Sequence, residues 1–237
     1  MKPTNNHVKI RLVGDIIQTM TQTKGGLRLH INPHFEPEKH SATQGVVVAV
    51  PDRLKFNKDH NLLRWKTEME IQEGDEVLID WDAAFRAREM GMYEKKGDDI
   101  YIIVKYHDIF LARRNGKTIP LNGLVFVEMV ANDDLPEELL TKEQIRMKNS
   151  SIVIPGGKKK SVRYCRVVLC GEPVQDKCKI DRAKDYLDVK LNPGDIVVVK
   201  NHAMIPMEYY MHKTFMPEKE VYKVYSDTII ATYQKQD

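Results

Sequence analysis

Gly74-Asp75-Glu76-Val77-Leu78-Ile79 returns as Gly194-Asp195-Ile196-Val197-Val198-Val199, 120 residues further on. The same spacing of 120 carries Val46-Val47-Val48-Ala49-Val50 onto Arg166-Val167-Val168-Leu169-Cys170. A third block, Asp108–Ala112, matches Asp227–Ala231 at a spacing of 119. Each block alone is an ordinary strand or turn, but three in one order at one spacing make an internal repeat. A period this long is a domain length, since solenoid units run to about 20–50 residues. The 237-residue chain therefore reads as two copies of one small fold. Each copy has room for a modest core and enough surface to make a partner useful.

The elements of each copy follow from pattern. Val8, Ile10 and Leu12 alternate with Lys9 and Arg11, the period-two signature of a half-buried strand. Leu124 to Met129 opens the second copy in the same way. Long polar stretches follow, Asp15 to Gln44 and Ala131 to Arg163; loops of that length in a compact domain are usually functional or disordered. The second contains a candidate helix start, with Asp133 or Asp134 as cap and Pro136 in the first turn. The β-branched runs come next, then charged segments, Asp52 to Glu73 and Glu172 to Pro193, that suit projecting hairpins. The Gly-Asp pairs supply tight turns, and Ile100 to Ala112 and Glu220 to Thr232 close each copy. Short strands separated by turn signals predict an all-β protein of two tandem small β-barrels. The expected domains are residues 1–114 and 119–237, with Arg113-Arg114-Asn115-Gly116-Lys117 as a polar linker.

Composition removes several classes of function. With 37 basic and 34 acidic residues the net charge is +3, and no basic stripe favours nucleic acid. Lys158-Lys159-Lys160 reads as a solvated loop. Cys165, Cys170 and Cys178 are odd in number and lack paired CxxC spacing, which argues against both a disulfide framework and a zinc site. No signal-peptide layout and no long apolar run is present, so a cytoplasmic protein without a membrane partner is expected. His30, His34 and His40 are separated by prolines and share no helix face, so they read as solvated loop residues and not as metal ligands. Gly156-Gly157-Lys158 lacks the spacing of a phosphate loop. There is no dinucleotide fingerprint and no Ser-His-Asp or paired-carboxylate pattern, so neither catalysis nor a cofactor is expected.

The two long loops hold the candidate binding residues. Gly25-Gly26-Leu27-Arg28-Leu29 and Ser150-Ser151-Ile152-Val153-Ile154 each place small residues before an apolar triplet. In extended backbone the first and third residues point one way and the second the other. Leu27 with Leu29, and Ile152 with Ile154, then form two-pronged apolar anchors. The alternative for each triplet is an edge strand of its barrel.

The whole pattern resembles the GroES-type co-chaperonins, in a tandem double-domain form. The second copy carries most of the likeness, in Pro120-Leu121, Ser151-Ile152-Val153-Ile154, Leu187-Asp188-Val189-Lys190, Gly194-Asp195-Ile196-Val197 and Tyr225-Ser226-Asp227. The resemblance implies two GroES-like barrels, each with a mobile loop and a roof hairpin. It implies that the triplets dock on a GroEL-type chaperonin, that the chain forms a ring with itself, and that unfolded clients benefit indirectly through ATP-driven folding. Rings of two-barrel chains hold an even number of barrels, so three or four chains per ring are expected. Departures are Arg28 in the middle of the first triplet, the charged segment Asp80 to Lys96, and His202-Ala203-Met204-Ile205-Pro206 in place of glycines. They keep open a second reading, a structural ring protein, such as a viral one, built on the same barrel without chaperonin binding.

Overall fold

The computed structural model describes residues 2–32, 34–55, 68–131, 134–140, 142, 145, 160–171, 190–200, 203–207, 215 and 220–233. They fall into two compact units. Unit 1 takes the chain up to Gly123 together with Gly171 and Phe215, and unit 2 takes Leu124–Cys170 and the remaining described residues. Among the described residues the protein is dominated by antiparallel strands.

In unit 1 the strands are β1 (His7–Leu12), β2 (Met20–Gln22), β3 (Arg28–His30), β4 (Gln44–Ala49), β5 (Glu76–Ile79), β6 (Tyr93–Lys96), β7 (Asp99–Lys105), β8 (Ile109–Arg114) and β9 (Lys117–Pro120). Seven form one sheet in the order β6-β7-β1-β4-β5-β8-β9, and β2 with β3 forms a separate ribbon. The alternation in β1 is used as its pattern requires: Val8, Ile10 and Leu12 are buried, with Val47, Val77, Ile79, Ile102, Val104 and Ile109 in the same core. Each such side chain contributes about 1.5–3 kcal/mol on leaving water.

Unit 2 contains β10 (Leu124–Ala131), β11 (Lys160–Cys170), β12 (Ile196–Val199), β13 (Ile205–Pro206), β14 (Tyr222–Tyr225) and β15 (Ile229–Tyr233). Its sheet runs β13-β14-β10-β11-β12-β15. The five central strands of unit 1, β7-β1-β4-β5-β8, have their counterparts here in the same order, β14-β10-β11-β12-β15. Val125, Val127, Val167, Val197, Val199, Val224 and Ile229 form the core, at the positions of Val8, Ile10, Val47, Val77, Ile79, Val104 and Ile109.

The repeat extends to irregular details. A bulge between Lys9 and Ile10 of β1 recurs between Phe126 and Val127 of β10. A second, between Leu78 and Ile79, recurs between Val198 and Val199. Gly74 and Gly194 hold φ of 91° and 100°, backbone that favours glycine. Each donates its N–H to the strand opposite, Gly74 to Val47 O at 2.9 Å and Gly194 to Val167 O at 2.8 Å. The following aspartate then caps its own turn: Gln72 N–H donates to Asp75 Oδ2 at 2.9 Å and Asn192 N–H to Asp195 Oδ2 at 2.8 Å. The pairings Ile79 with Ile109 and Val199 with Ile229 align the third sequence block at 120, correcting the 119 read from sequence. Asp108 thus corresponds to Thr228, each ending a 3₁₀ turn.

Asp75 has a second task in unit 1. Only 2% exposed, it accepts from Arg114 Nε at 2.8 Å and Nη2 at 2.7 Å, and this pairing raises the guanidinium pKa. Asp75→Ala would remove two of the Arg114 hydrogen bonds, leaving the one from Nη2 to Glu70 O at 3.1 Å, and would strand an N–H of the turn. A loss of about 3 kcal/mol in urea unfolding is expected, the low end for breaking a buried pair because Arg114 keeps some water. A change under about 0.5 kcal/mol would show that the pair is a surface contact.

Three expectations are corrected, and barrel closure is not met among the described residues. Neither sheet closes into a barrel among the described residues: the unit 1 ladder ends at β6 and β9, and the unit 2 ladder at β13 and β15. Closure requires the end strands to pair with a matching stagger, and each end strand has a single neighbour in its sheet. Arg113 to Lys117 is a hairpin turn and not a linker. Arg114 pairs with Lys117, and Asn115 and Gly116 hold φ of 51° and 76°, the two positive values that a two-residue hairpin turn needs. The charged segment after Ile79 holds helix α2 (Trp81–Glu89), which follows α1 (Pro37–His40) in the chain. Asp80 caps α2 by accepting from Asp82 N–H at 3.0 Å, and Ala83, Ala84 and Ala87 face the core. The first long loop, read as lacking strand pattern, contains β2 and β3. In the second, a 3₁₀ turn at Glu137–Leu139 follows Pro136 and the backbone at Lys142 and Ile145 is helical. The charged segments expected to form roof hairpins lie largely outside the described residues.

Candidate functional site

Between β1 and β4 the chain leaves the unit 1 core and returns as a narrow ribbon. Its base is fastened by Ile16 and Ile17, both buried. Val13 N–H donates to Gln44 O at 3.0 Å, Ala42 N–H to Ile16 O at 2.8 Å and Gln18 N–H to His40 O at 2.9 Å. Ile31 N–H donates to Thr19 O at 2.9 Å, and Met20 then pairs with His30, Thr21 with Leu29 and Gln22 with Arg28. Every residue from Gln18 to His30 is exposed.

Small residues at the tip make the reversal. Gly26 N–H donates to Thr23 O and Thr23 N–H to Leu27 O, both at 2.9 Å. Gly26 sits at φ 85°, completing a three-residue hairpin loop closed by a left-handed glycine. The Thr23 hydroxyl accepts from Leu27 N–H, and Gln22 Nε2 donates to Gly26 O, each at 3.2 Å. The register puts Thr21, Leu27 and Leu29 on one face and Met20, Gln22, Arg28 and His30 on the other. Leu27 is 63% and Leu29 44% exposed. About two residues of rise separate their side chains by roughly 7 Å.

Leu27 and Leu29 are thus presented side by side to solvent, with no core beneath them among the described residues, while Arg28 points away. An isolated two-stranded ribbon is marginally stable in water, so its shape can adapt to a partner at little energetic cost. Lys24 lies in the tip turn just before the apolar pair, and Arg28 lies on the opposite face of the ribbon. Two further exposed apolar residues, Met20 in β2 and Phe35 beyond the end of β3, were missed by reading triplets alone. Their signal would have been an apolar residue inside an otherwise polar run. Ser150, Ser151, Ile152, Val153 and Ile154 lie outside the described residues.

Among the described residues, other polar groups meet in small buried clusters. Tyr106 donates its hydroxyl to Glu70, which also accepts Asn122 N–H at 2.8 Å. Burial first, and then the Glu70 charge, push the phenol well above its ordinary range. His107, 3.4 Å from Asp108, is pushed down by burial against the upward pull of that carboxylate. Burial pushes the Cys165 thiol up to about 11, which leaves it protonated and unreactive at neutral pH. Among the described residues no group of three or more His, Cys, Asp and Glu could hold a metal ion, and no helix is long and apolar enough to cross a membrane. No protein-family model matches the chain, and no curated protein matches it.

Proposed function

We propose that the chain is a co-chaperonin that caps a GroEL-type chaperonin through the tips of its long loops. The observation that carries the reading is the exposed Leu27–Leu29 pair at the end of a ribbon rooted in a twice-repeated sheet. A flexible tip loses roughly 1–2 kcal/mol per residue on ordering, and two leucines return about 1.5–3 kcal/mol each. One tip therefore binds weakly. Several tips on one self-assembled ring act through effective concentration, which can raise avidity by roughly 10²–10⁴. Weak single contacts suit a lid that must also be released, with the chaperonin's own ATP cycle supplying the energy for release.

Capture of the full chain on an immobilised bacterial chaperonin tests the reading. Retention that requires ATP is expected. Failure to bind with or without nucleotide, by a chain that nevertheless assembles, would favour a structural ring protein, the role to which Arg28 and the inserted α2–β6 segment also lend support.

A further inference from the structure

We infer that helix α2 aims the ribbon of unit 1, with Phe85 and His34 as the positioning residues that hold its return leg before any partner arrives. The inference deepens the proposed function by naming what presents the Leu27–Leu29 tip, and its binding arm rests on that reading.

The helix follows from local sequence in the first repeat. Ala83, Ala84 and Ala87 favour helix, Asp80 caps it, and Arg86 Nε meets Asp82 Oδ2 one turn earlier at 3.0 Å. Ile79 corresponds to Val199 and Val104 to Val224, so the segments between them align at the same spacing of 120. That alignment sets Pro206 on Arg86, where a proline ring would clash with the preceding turn. Ile205–Pro206 is accordingly extended, as β13.

The helix is fastened to the body of unit 1. Its alanine face lies in one buried cluster with Ile16 and Ile17 from the base of the ribbon, and Ala42 from the return leg packs on that cluster too. Arg86 Nη2 donates to Asp108 Oδ1 and Oδ2, both at 3.4 Å, and Asp80 N–H donates to Asp108 O at 2.7 Å. Asp108 ends the 3₁₀ turn that leads into β8, so α2 is tied to the sheet.

From that footing α2 meets the return leg. The rings of Phe85 and His34 stand at 88° with centroids 5.9 Å apart, the edge-to-face arrangement that aromatic pairs favour. Helix α1, which begins three residues after His34, also packs on α2. Asn32 Oδ1 accepts His34 N–H at 3.1 Å and Asn32 O accepts Phe35 N–H at 3.0 Å, which bends the chain toward the helix. Both legs of the ribbon are thereby held at the root, while the exposed tip stays free to adapt. Fewer residues are left to order on docking, and a binding element held in place beforehand gains affinity by that saving.

Hydrogen exchange on the full chain, read by mass spectrometry over the peptides that hold Gln18 and Ile31, tests the inference. Their amides donate at the ribbon's root, to His40 O and Thr19 O, each at 2.9 Å. His34→Ala and Phe85→Ala should each speed that exchange roughly two- to tenfold, the range of an aromatic pair, and leave β4 and β7 as they were. His34 is exposed, so its variant tests the contact even if Phe85→Ala loosens the core. The double variant should be no faster than either single one, because both remove the same contact. His34→Phe, which keeps an aromatic ring against Phe85, should restore wild-type exchange. Retention on the chaperonin should weaken in His34→Ala and return in His34→Phe. Unchanged exchange in His34→Ala, additive losses in the double variant, or faster exchange with undiminished retention would overturn the inference. A chaperonin that ignores the wild-type chain would sink the capping role, and exchange alone would then decide whether α2 holds the ribbon.

Discussion

Leu27→Asp combined with Leu29→Asp should sharply weaken retention on a chaperonin that holds the wild-type chain, leaving only what the second anchor supplies, while the thermal midpoint of the protein stays nearly unchanged. The two halves of this result have one cause. Both leucines are exposed on a ribbon that packs on no core among the described residues, so folding gains little from them, and surface changes are usually worth within about 0.5 kcal/mol. In an apolar groove each substitution would remove a buried side chain and add a carboxylate that resists desolvation. Avidity multiplies the loss at every tip. Arg28→Ala is the internal control: it lies on the opposite face, and its removal should weaken retention far less. Equal losses from Arg28→Ala and from the leucine pair would mean that the tip does not bind in its extended register. A large drop in thermal midpoint for the double variant would mean that the leucines serve the fold.

Gly45→Ala should disrupt unit 1 severely, although it adds a single methyl group. Gly45 lies in β4 opposite Leu12. A Cβ there would sit 2.2 Å from Ile10 Cγ2 and 2.7 Å from the carbonyl oxygen of Arg11. A side chain can rotate away, but the backbone oxygen moves only with β1, an interior strand paired on both sides. Overpacking a well-filled core typically costs about 1–3 kcal/mol and sometimes more; with a backbone atom in the way the upper end is expected. Ile10→Ala in the same chain should recover part of the loss, since it clears the nearer contact and leaves the second. Unfolding in urea, followed by the Trp65 and Trp81 fluorescence of the first half, reads the effect. A variant as stable as wild type would show that β1 and β4 are further apart than their register implies. Unit 2 carries Cys165 at the same place in β11, so the restriction belongs to the unit 1 pairing and not to the fold as such.

The repeat was legible because strands carry their pattern locally. The alternation in β1, the valine runs of β4 and β11 and the two Gly-Asp turns follow from period-two burial and from positive φ. They correctly predicted two related β units. The Asn115-Gly116 turn was equally legible and was misread as a linker, because its charged neighbours outweighed the dipeptide's hairpin signal. Helix α2 was missed because Ala83, Ala84 and Ala87 are weakly hydrophobic, and only packing against the sheet turns them into a buried face.

The sequence by itself determined the unit of construction, its duplication, and the two leucines separated by one residue at the tip of a loop. Those depend on residues a few positions apart, where backbone geometry alone decides which side chains share a face. Tertiary structure decided which edges remain open. β8 is covered because β9 folds back on it, whereas β15 ends its sheet uncovered among the described residues, though both strands read alike in sequence. Strand pairing is a long-range choice made by the whole sheet, so the difference between buried Phe110 and exposed Ile230 is written in neither strand.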